Sequence, residues 1–312
     1  MASDIVDIGV ACIDHLLIVT RTADGWEECQ APFVQGGGLA ATAAVAAARL
    51  GANVDIWAVL GDDHHGRMVS DELAGYGLGV SEVKFEADRR TPSSYIEVDS
   101  QTGERTIYFS MGRSHSPLPP LADVEWDFDF ARLRGVKSLL VDHWLLRTSI
   151  RAAKEVRGSG AVVVADFFSV TGPVAELVPL VDALILPEET GIAVAGGPDF
   201  PLALQRLAEM GPSTPAITVG AQGVWYWHAG EVYHCPAFPV KVVDTTGCGD
   251  SFHGAYARAV TLGLNVHEAM RFSSAVAALK ATRLGGRTGL PTLDEVNRFL
   301  AERPEQGRAR KV

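Results

Sequence analysis

Short apolar runs alternate with longer amphipathic or alanine-rich stretches along most of the chain. Runs rich in β-branched residues predict strands, and several are apolar throughout, as is typical of strands buried on both faces of a parallel sheet. The predicted strands are Ile5–Val10, Val54–Leu60, Ser138–Val141, Ala161–Ala165, Ala183–Leu186, Ala216–Val219 and Gly223–Trp227. The predicted helices are Leu39–Leu50, Ser149–Arg157, Leu202–Met210, Phe252–Leu262 and Val266–Lys280. This alternation predicts an α/β fold with a parallel sheet.

Two regions depart from the alternation. Ile13–Gln35 and Thr91–Met111 contain short alternating segments, which are typical of hairpins. We expect residues 13–35 and 91–111 to form a small β lid on a core made of residues 1–12, 36–90 and 112–302. The alternative is that these segments are ordinary edge strands of the main sheet. The polar end, residues 303–312, is expected to be flexible.

Composition narrows the class of protein. The chain has 312 residues, 47% of them hydrophobic, which suffices for a sizeable core, and its formal net charge of −11 makes nucleic acid and membrane surfaces poor partners. No apolar run approaches the roughly 18 to 20 residues that span a bilayer. The N-terminal segment carries acids where a signal peptide carries basic residues, and the four cysteines lack metal-ligand spacing. We therefore expect reduced thiols and a cytoplasmic location.

The segment Asp244–Asp250 carries the clearest chemical signal. It reads Asp-Thr-Thr-Gly-Cys-Gly-Asp and leads into a predicted apolar helix. Glycines at a helix N-terminus let an anion approach the free amides, and the helix dipole keeps Asp250 ionised. A carboxylate beside an anion site is what phosphoryl transfer to an alcohol requires. On these residues alone, Asp250 could equally be a simple helix cap.

The same segment resembles the C-terminal signature of the ribokinase family, also called the PfkB family of carbohydrate kinases. Gly37-Gly38-Leu-Ala-Ala-Thr42, followed by an alanine-rich helix, resembles the family's N-terminal signature. The similarity spans about Ile5–Pro291 and is closest to the sulfofructose kinase and ketohexokinase-like branches. It implies a ribokinase-like three-layer α/β/α fold with a mostly parallel central sheet and a small β-sheet lid. It also implies an ATP-dependent sugar kinase that uses Mg²⁺ and is a candidate for K⁺ dependence.

The resemblance assigns roles to individual residues. Asp250 is expected to be the catalytic base beside an anion hole formed by the amides of Gly247, Cys248 and Gly249. The expected sugar-binding residues are Asp14, Gly38, Thr42 and His143. The expected nucleotide-binding residues are Thr218, Gly220 and Gly223. The helix that ends at Lys280 resembles a wall of the adenine pocket, and Asp14 alone could also be a turn residue that opens the lid.

The resemblance identifies the metal ligands less directly than the sugar- and nucleotide-binding residues. Asp244 and Thr246 resemble a monovalent-cation site, although capping roles would look the same. The family often carries Asn-x-x-Glu near Mg²⁺, whereas this chain has Pro187-Glu188-Glu189, so the family's metal shell does not carry over and Glu188 and Glu189 are candidate ligands. Cys248 replaces a usual alanine and brings an oxidisable thiol near the γ-phosphate.

The sugar is predicted to be neutral, for example a ketose. The segment Trp26–Glu28 is acidic where the sulfofructose kinase branch is basic, and His143 stands where that branch has an arginine. The alternatives are a sulfofructose or sugar-phosphate kinase, a nucleoside kinase with Trp26 stacking on the base, or a non-catalytic binding protein. His253 is expected to pack or cap. The resemblance also implies a homodimer that forms through the lid.

Overall fold

A computed structural model describes residues 3–21, 27–100, 105–112 and 119–312. In chain order its strands are β1 (Ile5–Ile8), β2 (Cys12–Arg21), β3 (Glu27–Gly37), β4 (Val54–Gly61), β5 (Val83–Glu86), β6 (Ser93–Asp99), β7 (Arg105–Ser110), β8 (Ser138–Asp142), β9 (Val162–Asp166), β10 (Ala183–Pro187), β11 (Ala216–Thr218), β12 (Val224–His228), β13 (Glu231–Cys235) and β14 (Arg310–Lys311). Its helices are α1 (Leu39–Arg49), α2 (His64–Gly75), α3 (Leu146–Glu155), α4 (Glu188–Ala195), α5 (Phe200–Glu209), α6 (Cys248–Thr261), α7 (Val266–Ala281) and α8 (Leu293–Ala301). In this described part of the chain, no helix is long and apolar enough to cross a membrane.

The large sheet has ten strands in the order β14-β13-β12-β11-β10-β9-β8-β1-β4-β5. The strands from β11 to β5 are parallel, and β12, β13 and β14 add an antiparallel end. Residues Ala183–Leu186 of β10 are all buried, as expected for a strand covered on both faces. The sheet therefore has the mostly parallel arrangement that the sequence predicts.

Two hydrophobic cores cover the two faces of this sheet. Ile5 and Ile56 belong to the core that also contains residues of α1, α6 and α7, whereas Val6 and Trp57 belong to the core shared with α3 and α5. Neighbouring residues of one strand thus face opposite layers, which is the period-2 alternation of a strand. The result is a three-layer α/β/α architecture.

A separate four-stranded sheet has the order β3-β2-β6-β7. Asp14 in β2 lies opposite Gln35 of β3 and Ser94 of β6. Residues directly opposite in paired strands share a face, so these three side chains lie on one side of the small sheet. The strands come from residues 12–37 and 93–110, the two regions where the sequence shows alternating patterns, while the exact domain boundaries stay a prediction.

The apolar pattern locates all seven predicted strands to within two residues at each end. It misses β5 and β13, whose residues are mostly half-buried or exposed and therefore lack a continuous apolar run. It also misses α2, α4 and α8. The pair His64-His65 begins α2, and Asp63 caps that helix by accepting a hydrogen bond from the Gly66 amide.

The end of the chain differs from the prediction of a flexible tail. Arg310–Lys311 pairs with β13, and the Cys235 thiol donates to the Gly307 carbonyl oxygen at 2.8 Å. The prediction rested on polar composition alone. Composition does not show that the tail covers an otherwise unpaired sheet edge.

Substituting Gly254 tests how closely α1 and α6 pack. A Cβ at Gly254 would lie 2.1 Å from the carbonyl oxygen of Ala43, so the two helices must separate in Gly254→Ala. We expect the free energy of unfolding to fall by about 1–3 kcal/mol, measured by urea denaturation. Gly75→Ala is the matched control because its added methyl meets no atom within 4 Å. That variant should be as stable as the wild type or more stable, and equal losses in both would contradict the packing argument.

Candidate active site

The carboxyl ends of the parallel strands bring the candidate catalytic residues to one edge of the large sheet. His143 follows β8, Asp166 ends β9, and Glu188 follows β10. Ligands of open α/β sheets bind at this edge. The N-terminus of α6 reaches the same region, because His253 of α6 is hydrogen-bonded to the carbonyl oxygen of Ile185 in β10. The sheet therefore assembles residues that are far apart in sequence.

The turn Thr245–Gly249, here called the anion turn, presents backbone amides at the start of α6. Gly247 has a φ of 75°, and a Cβ there would lie 3.1 Å from Gly286, so the position favours glycine. The Cys248 amide donates to the Thr245 carbonyl oxygen at 3.2 Å, whereas the amides of Gly247 and Gly249 find no acceptor within the described ranges. Two free amides at a helix N-terminus form a site for an anion.

Asp250 lies in the first turn of α6, beside these amides. The N-cap of the helix is Gly247 and no side chain caps it, so Asp250 is not the capping residue. The pKa of Asp250 is raised to about 7, mainly by burial and then by the carboxylates of Asp166 and Asp14, while His253 and Arg105 lower it. A carboxylate with this pKa can accept a proton near neutral pH.

His253 connects the anion turn to the sheet. Nδ1 lies 2.8 Å from the Gly249 carbonyl oxygen and 3.3 Å from an Asp166 carboxylate oxygen. Nε2 lies 3.1 Å from the Ile185 carbonyl oxygen. The prediction that His253 packs or caps is consistent with these contacts, which hold the peptide just before Asp250.

Cys248 follows Gly247 in the anion turn. Burial raises the pKa of its thiol to about 11. The thiol is therefore protonated at neutral pH, and thiols oxidise mainly as thiolates. The oxidation hazard expected from the sequence is small in this environment.

The predicted sugar-binding residues come from the small sheet, α1 and the end of β8. Asp14 is a buried strand residue rather than a turn residue, and burial raises its pKa. Gly38 has a φ of 99°, and a Cβ there would lie 2.4 Å from the Val10 carbonyl oxygen. Thr42 is buried in α1. Burial lowers the pKa of His143, so the imidazole is neutral at pH 7.

Gln35 is a site candidate that the sequence does not reveal. It lies opposite Asp14, is 4% exposed, and neither atom of its side-chain amide has a hydrogen-bond partner in the described part of the chain. Its nitrogen lies 3.3 Å from the Cβ position of Gly286, next to the anion turn. A buried amide without partners is unfavourable, so a ligand that supplies them would bind well here.

Arg105 is a second residue that the sequence misses. It belongs to β7 of the small sheet, yet its Nη1 donates to Thr245 Oγ1 at 3.1 Å. Its guanidinium therefore lies beside the anion turn, where it adds positive charge and hydrogen-bond donors for a phosphate. Only the pairing of β6 with β7 places it there.

The predicted nucleotide residues lie in the turn between β11 and β12. Gly223 has a φ of 101°, and a Cβ there would lie 2.1 Å from the Cys235 carbonyl oxygen. Gly220 also has a positive φ, of 47°, and Thr218 Oγ1 donates to the Leu186 carbonyl oxygen at 3.3 Å. These observations explain the two glycines structurally, and their role in binding the nucleotide stays a prediction.

The predicted metal ligands lie in two segments, Glu188 and Glu189 at the start of α4 and Asp244 and Thr246 just before α6. Within the described residues, no group of three or more His, Cys, Asp or Glu side chains could hold a metal ion. Glu188 and Glu189 start α4, and Glu189 is exposed. Thr246 is buried in the anion turn, and Asp244 is buried just before it. Mg²⁺ needs few direct protein ligands, so Glu188 and Glu189 stay candidates for it.

A parallel α/β sheet with a carboxylate beside free amides at its carboxyl edge is the arrangement of an enzyme that transfers a phosphoryl group. The pfkB family of carbohydrate kinases matches this chain over residues 2–293, and the chain belongs to that family. It is therefore an ATP-dependent carbohydrate kinase that acts on a sugar hydroxyl. The predicted family, fold and activity are confirmed.

Individual relatives support the same conclusion. The chain is 28% identical over 271 residues to ribokinase of Haemophilus influenzae, covering 85% of this chain and 87% of that protein. It is 30% identical over 287 residues to fructokinase of Klebsiella pneumoniae, covering 85% and 91%. The structure resembles that of Thermotoga maritima ribokinase with a TM-score of 0.81 at 26% identity, covering 96% of this chain and 99% of that one. Arabidopsis thaliana ribokinase, solved with ribose and ATP, shows the same fold with a TM-score of 0.82 at 24% identity, covering 96% and 99%.

The pKa of Asp250 leads to a pH prediction. If Asp250 accepts the hydroxyl proton, it must be ionised, so kcat/KM should fall as pH drops through about 7. Asp250→Asn should lower kcat by about 10²- to 10⁴-fold while ATP binding persists. Asp71→Asn, an exposed position in α2, is the control and should leave both unchanged. Wild-type rates that stay constant down to pH 5, or full turnover in Asp250→Asn, would show that another group is the base.

Proposed function

We propose that this enzyme transfers the γ-phosphoryl group of ATP, used with Mg²⁺, to a hydroxyl of a neutral sugar such as a ketose. The observation that carries the proposal is the position of Asp250 beside the free amides of Gly247 and Gly249. In this mechanism Asp250 takes the proton of the attacking hydroxyl. The two amides, with Arg105, hold the negative charge of the transferring phosphoryl group.

The chain's own residues divide the remaining tasks. By resemblance, the turn with Thr218, Gly220 and Gly223 holds the nucleotide, and Glu188 or Glu189 contacts Mg²⁺ through water. When bound, Mg²⁺ neutralises phosphate charge. Its site tolerates the missing asparagine because most of its ligands are waters and phosphate oxygens.

The charges around the sugar side favour a neutral acceptor. Asp14 offers a carboxylate, Gln35 an uncharged amide and His143 a neutral imidazole. The nearby guanidinium of Arg287 is already engaged, because it contacts Glu72 at 3.3 Å and donates to the Gly37 carbonyl oxygen at 2.7 Å. A sulfonate or phosphate on the sugar would meet the Asp14 carboxylate, and the two described cations nearby are committed, Arg287 to Glu72 and Arg105 to the anion turn.

A nucleoside is the second candidate acceptor. Phe109 of the small sheet lies 5.3 Å from Trp144, and Trp144 lies 4.6 Å from His143, measured between ring centroids. These rings could stack on a base. Trp26, the residue first considered for stacking, lies outside the described residues.

An ATP-consumption assay with Mg²⁺ separates these substrates. Neutral ketoses should give the highest kcat/KM, and sugar phosphates or sulfonates should be at least about tenfold poorer, because their negative charge would face the Asp14 carboxylate. Nucleosides and aldoses belong in the same screen, with Asp250→Asn as the blank. Preferred turnover of an anionic sugar would overturn the charge argument, and preferred turnover of a nucleoside would favour the second candidate.

We also propose a homodimer formed through the small sheet, in the cytoplasm. Val34, His15, Tyr95 and Tyr108 form one row across its four strands. Tyr95 and Tyr108 are 48% and 56% exposed, and Tyr95 stacks on His15 at 4.8 Å. Exposed aromatic patches of this kind are typical of protein interfaces. The cytoplasmic location fits the free cysteines Cys12, Cys29, Cys235 and Cys248.

Sedimentation tests the dimer. The wild type should sediment as a dimer, and Tyr95→Asp should shift it to monomer at micromolar concentration, because a charge in a desolvated interface costs several kcal/mol. Met210→Asp, at an exposed apolar residue of another surface, is the control and should stay dimeric. A monomeric wild type, or a dimeric Tyr95→Asp variant, would exclude this interface.

A further inference from the structure

Lys280 is a lysine with no exposed surface. It lies in the last turn of α7 and is 0% exposed. Its Nζ donates to the Asp244 carbonyl oxygen at 2.8 Å and to the Arg283 carbonyl oxygen at 3.4 Å, and it lies 3.7 Å from an Asp244 carboxylate oxygen. Lysine is almost never fully buried unless it is paired. The sequence resemblance likens this stretch to a wall of the adenine pocket. The Lys280 side chain itself points towards Asp244 and the anion turn.

The oxygens around Nζ are those that would surround a bound cation. Two are backbone carbonyl oxygens and one is a carboxylate oxygen. K⁺ is held by such carbonyl oxygens where they replace its water shell, and a lysine ammonium carries the same single charge. Asp244 is also the residue at which sequence resemblance placed a monovalent-cation site. The Lys280 ammonium lies at that position and, unlike a free ion, is covalently attached to the chain.

The surrounding groups are consistent with a charged Lys280. Burial lowers the pKa of the ammonium, and the carboxylate of Asp244 opposes that shift. Although burial acts against it, the charge of Lys280 and the amides of Thr246 and Gly285 lower the pKa of Asp244. A buried carboxylate and a buried ammonium stabilise each other, whereas either alone would be costly.

We propose that the Lys280 ammonium replaces the monovalent cation beside the anion turn, so that this kinase needs no K⁺. The proposal rests on the proposed role of the anion turn in holding the phosphoryl group. Because the charge is covalently attached, it is present at any ionic composition. It lies beside Cys248 and near Arg105 and adds to the positive field at the anion turn.

The first test needs only the wild-type protein. After exchange into choline chloride, phosphorylation is measured with added KCl, NaCl or choline chloride at constant ionic strength. We expect kcat/KM to vary by less than about twofold among the three salts, because a tethered charge has no ion to recruit. A saturable increase of fivefold or more that is specific to K⁺ would overturn the proposal.

Two variants distinguish replacement of an ion from a merely structural lysine. Lys280→Ala opens space beside the same oxygens, so activity should fall by about 10²-fold and recover in part, about tenfold, with K⁺ or ammonium. Lys280→Met keeps the side-chain volume but removes the charge. Its activity should fall by the same factor, and K⁺ or ammonium should not restore it. Lys241→Ala, an exposed lysine, is the control and should behave as wild type in every salt. Loss of activity in Lys280→Ala that no cation restores would contradict the proposal.

Thermal unfolding reports on the same site without any substrate. K⁺ relative to choline should leave the Tm of the wild type unchanged and raise that of Lys280→Ala by about 2–4 °C, because a ligand of the folded state stabilises it. This readout remains valid if the acceptor sugar or the catalytic assignment is wrong. A K⁺-specific rise in the wild type would show that an ion binds in addition to the ammonium and would overturn the proposal even if no variant folds.

Discussion

The buried carboxylate of Asp244 is the interaction on which the phosphoryl end of the site depends. Its two oxygens accept hydrogen bonds from the amides of Thr246 and Gly285, both at 2.8 Å. Its backbone oxygen accepts from Lys280. One residue thus joins the anion turn, the loop after α7 and the end of α7. Since each partner is buried, removing one leaves another unsatisfied, at a cost of about 1–3 kcal/mol or more for a charged group.

Arg287 extends this constraint to the small sheet. It is 1% exposed, and its guanidinium contacts both Glu72 and the Gly37 carbonyl oxygen. Glu72 in turn accepts a hydrogen bond from the Gly36 amide at 2.6 Å. The loop fixed through Gly285 therefore also positions the end of β3, just before the predicted sugar-binding glycine. A movement of the small sheet and a movement of the anion turn are coupled, because the same short loop contacts both.

The sequence predicts local patterns better than it predicts where long side chains end. The parallel sheet and the anion turn follow from apolar runs and from two glycine-rich motifs, which are signals confined to a few neighbouring residues. Lys280 reaches Asp244, 36 residues away, and Arg105 reaches Thr245, 140 residues away. Gln35 becomes a candidate only through its pairing with β2. These contacts depend on strand order and register, which a single sequence does not contain.

Strand order also sets the strength of the proposed base. Asp7 is fully buried, neither of its carboxyl oxygens has a hydrogen-bond partner in the described residues, and burial raises its pKa well above the ordinary value. Burial therefore favours the neutral form of Asp7. Asp166, at the end of β9, is the acid that raises the pKa of Asp250 most after burial, and His253 lowers it. A stronger negative field would keep Asp250 protonated, and a weaker one would make it a poorer base. The position of β9 beside α6 thus holds the pKa of Asp250 near neutral pH. The fold thereby sets how readily Asp250 accepts a proton.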